Sequence, residues 1–406
     1  MTPTSRRLTG TVAVAACLVA ACSVTPVATG PTTTVAPTTT VPGGAHPAET
    51  SASTLRAGVT AALQGDMFLV ALATSTIVSG GDPSPARAAL ANDAAELGSL
   101  LSGAFDAATV SKLTTLWKQR DDLFLSYATA KVAHDAPRVK KVVADLDANG
   151  KAFAAAFGAA DVNLTADALS AELSPEASAI TTVIDDQVVR STSQYADLTT
   201  AAALFPHTAD LLSAAVAKAH SSKYPGTTTG TAANLRAQVT ATLVDHVYLA
   251  GIVTATILNQ ADTVAAKAAL SSNTDAFANV FSAVYGDAAG AQAAKLWNDQ
   301  ISGYEAYAMA AGASDASGRA QARSQLDTFK DAFAGFVSGL DSKLQAASVS
   351  SSLGGHVDSF LAAVDAQAAK SPSQFDLLGQ AGRSMVGPGD ELSEGIAEQF
   401  PTKYLP

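Results

Sequence analysis

Two histidines and two acids in the second half of this sequence are placed where they could hold a transition metal. His246 falls on an apolar helical stripe, where burying a charge is costly unless it is paired. His356, Asp299 and Glu305 fall on other predicted helices and could face it. A metal site in a helical bundle needs such a convergence of imidazole and carboxylate groups. An iron- or copper-binding, ferritin-like module is therefore one hypothesis, and its rival is a histidine hydrogen-bonded across the bundle.

Motifs for other chemistry are missing from the sequence. It contains no Glu-x-x-His pair, no His-Glu-x-x-His zinc motif, no Gly-x-x-x-x-Gly-Lys phosphate loop, no Gly-x-Ser-x-Gly elbow and no Ser-x-x-Lys. The net charge is −11, and no basic cluster offers a nucleic-acid backbone the counterion release on which its binding depends. We expect neither enzymatic activity nor a nucleic-acid partner.

Cys22 suggests covalent attachment of lipid. Arg6 and Arg7 precede an apolar run over residues 8–21, which is too short to span a bilayer but suits the core of a signal peptide. The run ends in Val19-Ala20-Ala21-Cys22, which resembles the lipobox of bacterial lipoproteins. We expect cleavage before Cys22 and lipid anchoring at the extracytoplasmic face of the cell membrane. An ordinary secretory signal is the alternative, and the twin-arginine and general export routes both stay open.

Residues 22–51 follow the signal peptide of residues 1–21 and are rich in Thr, Pro and Gly, with almost no charge. Such a composition cannot form an apolar core, so we predict a disordered tether. His46 lies near its end, where we expect it to be solvated.

The remainder of the chain matches itself at a constant offset. The only two tryptophans are Trp117 and Trp297, and 297 − 117 = 180. The same offset pairs many other residues, for example Leu55-Arg56-Ala57 with Leu235-Arg236-Ala237, Tyr127 with Tyr307, and Lys223-Tyr224 with Lys403-Tyr404. So long a period indicates two copies of a whole domain. We infer a tandem duplication, with copy one over 52–224, a short linker over 225–231 and copy two over 232–406. The tryptophans and the paired tyrosines are expected to pack in the core.

Apolar periodicity predicts an all-α fold with five or six helices in each copy, arranged as an antiparallel up-and-down bundle. The predicted helices of copy one cover about 53–78, 84–104, 107–133, 136–159, 175–190 and 193–220, and those of copy two follow 180 residues later. Ser84-Pro85 and Ser174-Pro175 are interpreted as helix starts, and Ser191 and Ser371 as the first residues of capping boxes. Pro206 and Gly387-Pro388-Gly389 should break the last helix of each copy.

Copy two resembles a group of small exported bacterial helical-bundle proteins. The likeness rests on the Leu296-Trp297 pair, the helix that contains His246 and the closing run over residues 392–404. Members are sometimes labelled acetylglutamate kinase, although no phosphate-binding motif is present here. The resemblance implies an exported helical bundle without a settled activity. Members tend to carry several histidines on bundle helices, whereas the last helix here has Gly382 and Ser384.

These observations favour an exported, lipid-anchored envelope protein that acts as a non-enzymatic binding module. Alanine-rich inner faces leave room for a groove within or between the bundles, which could take a partner protein or an apolar ligand. The metal module described above is the alternative function. A further possibility is that copy one is a degenerate scaffold and only copy two is functional.

Overall fold

The computed structural model describes residues 46–405, so the signal segment, Cys22 and most of the predicted tether lie outside the described residues. The described chain folds into fourteen helices and contains no strand, which confirms the all-α prediction. The helices are α1 Ser51–Val78, α2 Ser84–Leu101, α3 Ala107–Val132, α4 Ala136–Ala160, α5 Ala166–Val189, α6 Gln194–Ala202, α7 Phe205–Ala219, α8 Thr231–Leu258, α9 Val264–Tyr285, α10 Asp287–Gly312, α11 Ala316–Leu340, α12 Ala346–Ala368, α13 Gln374–Ser384 and α14 Val386–Gln399.

The helices of the second half start where the sequence offset places them. Helix α1 begins at residue 51 and α8 at residue 231, and the next five pairs of helices start with the same spacing. Only the last pair differs, by one residue, because α7 begins at residue 205 and α14 at residue 386. The internal sequence match therefore corresponds to a repeated order of helices.

Short polar side chains start several of these helices. Asp106 accepts a hydrogen bond from the Thr109 backbone nitrogen at 2.7 Å, and Thr165 accepts one from Ala168 at 3.2 Å. Each satisfies a backbone donor that has no partner within the helix. Thr165 makes α5 begin at Ala166, nine residues before the predicted start at Pro175, which lies inside the helix. The prediction was wrong because buried Leu169 and Leu173 hold the earlier turns against the core.

Two other start signals were also misinterpreted. Helix α2 starts at Ser84 as predicted, but the N-cap position that Ser84 was expected to fill is occupied by Pro83. The predicted capping boxes do not form, because α6 and α13 follow Ser193 and Ser373, neither of which makes a side-chain cap hydrogen bond. The predicted breaks are confirmed: α6 and α7 are separated before Pro206, and α13 and α14 meet at Met385, before Pro388.

The two halves share one hydrophobic core, and residues 45–406 form a single compact unit. Helices α1 and α8 pack against each other at its centre, where the rings of Phe68 and Tyr248 stack with centroids 5.0 Å apart. Both helices are long and apolar enough to cross a membrane, yet most of each is buried in the bundle, as expected for a core helix. The tryptophans Trp117 and Trp297 are both 1% exposed, so their predicted core role is confirmed.

Each half also binds the segment that leads into the other half. Arg56 of α1 donates to the Thr228 carbonyl at 2.6 Å, and Arg236 of α8 donates to the Ala48 carbonyl at 2.9 Å. These are equivalent contacts, because each arginine and each carbonyl is 180 residues from its counterpart. The segment over 225–231 is thus held between the halves, and the end of the predicted tether, with Ala48 fully buried, belongs to the folded unit.

Candidate functional site

Four buried polar positions lie in the core of each half, on the first, second, third and fifth helices. In the second half they are His246 on α8, Asn273 on α9, Gln300 on α10 and His356 on α12. The equivalent residues of the first half are Asp66 on α1, Asp93 on α2, Arg120 on α3 and Glu176 on α5. The same positions therefore carry neutral groups in one half and ionisable acids with an arginine in the other.

A tryptophan fixes the protonation of His246. Trp297 Nε1 donates to His246 Nδ1 at 2.9 Å, so that nitrogen carries no proton. In the neutral imidazole the proton then sits on Nε2, which acts as a hydrogen-bond donor and has no free lone pair for a metal. The side-chain amides of Gln300 and Asn273 also lie close enough to influence the pKa of the ring.

The nitrogens of both amides donate to other groups. The Gln300 nitrogen already donates to Tyr304 Oη at 3.0 Å, and the Asn273 nitrogen donates to the Thr242 carbonyl at 2.9 Å. Among the described residues, the two amide oxygens, His246 Nε2 and both ring nitrogens of His356 are buried without a hydrogen-bond partner. The second-half core is therefore a cluster of neutral polar groups, only some of which are hydrogen-bonded. The bond from Trp297 to His246 crosses the bundle, as in the simpler of the two interpretations that the sequence left open.

Burial keeps both core histidines uncharged. It lowers the pKa of His246 from 6.5 to about 3, and the nearby His356 adds to that shift while Gln300 and Asn273 oppose it. Burial likewise lowers the pKa of His356 from 6.5 to about 4. At neutral pH this cluster carries no charge.

In the first half the same positions form a buried ion network. Arg120 Nη2 lies 2.8 Å from Glu176 Oε2, and Thr208 Oγ1 donates to Glu176 Oε1 at 2.6 Å. The guanidinium also lies over the Trp117 ring, 4.8 Å from its centroid. These contacts compensate the charges of Arg120 and Glu176, which are almost fully buried.

The first-half core holds more carboxyl groups than cations. Asp66, Asp93 and Asp121 are buried with Glu176, and the second cation is Arg383 of α13, whose Nη1 lies 3.0 Å from Asp93 Oδ1. Burial raises the pKa of Asp66 to about 7, although Arg120 opposes the shift, and it raises the pKa values of the other three acids as well. The buried acids therefore retain protons at a pH where exposed carboxyls have lost them.

The four residues predicted as metal ligands are not brought together. His246 and His356 lie in the core, while Asp299 faces outward, where its carboxylate lies 2.8 Å from Lys295 Nζ. Glu305 Oε2 lies 2.8 Å from Nζ of Lys267 on α9, so Glu305 forms an ion pair with that lysine. Asp299 and Glu305 pair with lysines at the surface, and the tautomer of His246 leaves no lone pair for a metal. These four residues are therefore poorly suited to bind one metal ion.

A groove runs along the outside of the first half between α4 and α5, with a volume of about 620 Å³. Gly150 forms part of its floor, and the α5 wall presents small side chains spaced by one helical turn, Ser170, Ser174 and Ser178. At one end lies Val143, a large apolar side chain that is 49% exposed.

The corresponding surface of the second half is bridged by charged side chains. Arg323 replaces Val143 and forms an ion pair with Asp358, which replaces Ser178. Lys330 replaces Gly150, and its stem approaches Gly354, the counterpart of Ser174. The helices of the two surfaces correspond, but in the second half charged side chains occupy the positions that line the open groove of the first half.

No protein-family model, curated protein sequence or solved structure matches this chain. The interpretation of its function therefore depends on its own residues.

The sequence interpretation missed Arg120, Glu176, Asp93 and the open groove. Applying the offset of 180 to His356 leads to Glu176, and applying it to the neighbours of Trp297 leads to Arg120. An arginine three residues after a core tryptophan, matched by an acid on another apolar helix face, was the available signal for the ion network.

Proposed function

We propose that this protein is an exported lipoprotein, anchored through Cys22 at the extracytoplasmic face of the cell membrane, that acts as a non-enzymatic binding module. Its binding surface is the α4–α5 groove, and its partner is an envelope protein that inserts one amphipathic helix there. The groove itself is the observation that carries the proposal, because it is open in one half and closed in the other.

The lining of the groove suits a helix. Ser170, Ser174 and Ser178 recur every four residues on one wall and let a neighbouring backbone come close. Val143 and Leu146 supply apolar contact on the other wall, as in complexes in which an amphipathic helix lies in a hydrophobic groove. The groove belongs to the first half, so the proposal departs from the view of copy one as a degenerate scaffold.

The chemistry of the core supports binding over catalysis. The second-half histidines belong to a neutral polar cluster and the first-half acids to an ion network, both largely buried in the bundle. Neither cluster reaches the groove, whose lining residues include none of them. A buried network of this kind fixes the packing of helices and leaves the outer surface for recognition.

The groove is tested by exchanging residues between the halves. The triple variant Val143→Arg, Gly150→Lys and Ser178→Asp gives the first half the closing residues of the second. A photo-crosslinking residue at Ser174 in intact cells should give a discrete protein adduct, and the triple variant should lose it. The matched control places the crosslinker at Gly354, where no adduct is expected. Equal adducts at both positions, or none at Ser174, would contradict the proposal. A small apolar ligand found in the groove by native mass spectrometry would show that the occupant is not a helix of a partner protein.

The anchor is tested separately. Mass spectrometry of the mature N-terminus should show diacylglycerol on Cys22, and Cys22→Ser should release the protein from the membrane fraction. A mature chain that begins elsewhere, without acyl groups, would contradict lipid anchoring and leave the groove test unaffected.

A further inference from the structure

Three potential metal ligands converge where the N-terminal segment meets the last helix. They are His46 Nδ1, Glu394 Oε1 and Glu398 Oε1, which all lie within 4.8 Å of one another. Glu394 and Glu398 are one turn apart on α14, so both carboxylates point the same way. His46 comes from the other end of the chain and lies between them.

The spacing of these atoms fits a shared cation. His46 Nδ1 lies 3.1 Å from Glu394 Oε1 and 3.3 Å from Glu398 Oε1. A metal with bonds of roughly 2.0–2.2 Å holds neighbouring ligand atoms roughly 3.0–3.4 Å apart in octahedral or tetrahedral geometry. The two separations from His46 fall in this range, and the two carboxylate oxygens lie within 4.8 Å of each other.

The outer oxygens of both carboxylates are already held. Glu394 Oε2 accepts a hydrogen bond from the Ala48 backbone nitrogen at 2.8 Å, and Glu398 Oε2 lies 3.5 Å from Lys343 Nζ. The Ala48 carbonyl is in turn bound by Arg236. Such outer contacts orient metal ligands. The inner atoms of His46 and Glu394 share a hydrogen bond of 3.1 Å, which a cation would replace with release of the proton. The Glu394 side chain is 9% exposed, so its position is well defined by its surroundings.

The surrounding cavity is acidic and absent from the repeat. It has a volume of about 680 Å³, and its acids are Glu49, Asp390, Glu391, Glu394 and Glu398 against the single lysine Lys343. This excess of negative charge favours a cation. In the first half the equivalents of the three ligands are Ala214, Lys218 and Gly226, none of which can bind a cation. The cluster is thus an addition to the shared scaffold.

We propose that His46, Glu394 and Glu398 form a binding site for a divalent transition metal, best matched by Zn²⁺, with further positions open to water. One nitrogen and two carboxylate oxygens suit this ion. Since His46 lies 24 residues after Cys22, bound metal would fasten the end of the predicted tether to the second half. The site is independent of the α4–α5 groove.

The test uses the full chain, purified in detergent and stripped of metal. Calorimetry with Zn²⁺ alone should show one site per chain, and His46→Ala and Glu398→Gln should each weaken binding by about tenfold or more. Hydrogen exchange of residues 46–50 should slow on addition of Zn²⁺ in the unmodified chain and not in His46→Ala. Circular dichroism confirms that each variant keeps its helical content.

Two matched controls locate the metal. His207→Ala removes an exposed histidine of the first half and should leave Zn²⁺ binding unchanged. His246→Gln should also leave it unchanged, whereas loss of binding in that variant would place the metal in the core and overturn the proposal. Absence of Zn²⁺ binding, or equal affinity in His46→Ala, would overturn it as well.

Discussion

The two halves of the molecule have the same order of helices, but the polar groups buried in the first half are ionic and those buried in the second half are uncharged. Asp66, Arg120 and Glu176 of the first half stand where the second half has His246, Gln300 and His356. The first core contains buried ions that compensate one another, while the second contains neutral groups linked by hydrogen bonds. The same order of helices therefore accommodates either a set of buried ions or a set of neutral polar groups.

The difference also sets how each half responds to pH. Burial favours the protonated, neutral form of the first-half acids. It also favours the unprotonated, neutral form of the second-half histidines. A rise in pH should therefore destabilise the first half, and a fall in pH should destabilise the second half. Because the two halves share one hydrophobic core, both effects should appear in the stability of the same folded unit.

Removal of the central cation should have the largest effect. Arg120→Met leaves Glu176 and its neighbouring acids buried without their partner, and we expect the free energy of unfolding to fall by about 3–5 kcal/mol. The matched change Gln300→Met in the second half removes a neutral hydrogen bond and should lower it by about 1 kcal/mol. Urea denaturation at pH 7 measures both.

Equal losses for the two variants would contradict the contrast between an ionic and a neutral core. Arg87→Met provides a surface control, since the Arg87–Asp122 ion pair is exposed on both sides and its loss should change stability by less than about 1 kcal/mol.

Asp66→Asn should remove part of the loss of stability with rising pH. The ordinary pKa of 3.8 is raised to about 7 in the folded state, so the folded chain holds this proton more tightly than the unfolded chain. Below pH 4 both states are protonated, and above pH 7 both have lost the proton, so stability falls as the pH rises between these values. Thermal unfolding from pH 4 to 8 should show a flatter profile in the variant. An unchanged profile would show that Asp66 does not titrate in this range.

His356→Gln should have a slightly smaller effect of opposite sign. The pKa of His356 is lowered from 6.5 to about 4, so its contribution is complete above pH 6.5 and lost as the pH falls to 4. The difference amounts to about 3 kcal/mol. The same titration of thermal stability should therefore show less acid destabilisation in the variant, and an identical loss in both proteins would contradict the assignment.

A small effect, equal in the two halves, is expected where their contacts agree. Thr74 donates to Gln187 at 2.9 Å and Thr254 donates to Gln367 at 2.9 Å. Thr74→Val and Thr254→Val should each lower the free energy of unfolding by about 1 kcal/mol, because each removes one buried hydrogen bond. Values that differ by much more than this between the two variants, measured by urea denaturation, would show that the repeat does not extend to its hydrogen bonds.

Much of the helical architecture could be predicted from local patterns. The starts of α2, α3 and α4, the breaks before Pro206 and Pro388, and the buried tryptophans follow from periodicity and backbone chemistry. The start of α5 could not be predicted from Pro175, because proline lacks one donor but does not prevent a helix whose earlier turns are held by buried leucines. At this helix, tertiary packing decided the start and the local sequence signal did not.

The sites depended on contacts between distant residues. His46 looked like part of a solvated tether until the fold placed it beside Glu394, 348 residues away. Arg383 could not be assigned to the first-half core from the sequence, because it belongs to the second half and reaches Asp93 across the interface. Asp299 and Glu305 share the helix of Trp297, but their side chains face lysines at the surface.

The sequence alone determined the all-α class, the spacing of 180 residues between matching helices and the breaks at the last helix of each half. Periodicity, propensity and proline chemistry act over a few residues, so they can be read along the chain. Only the tertiary structure decided that the halves share one core, that the groove is open on one side alone and that His46 meets α14. These features arise from side chains far apart in sequence, whose burial and partners depend on how whole helices pack.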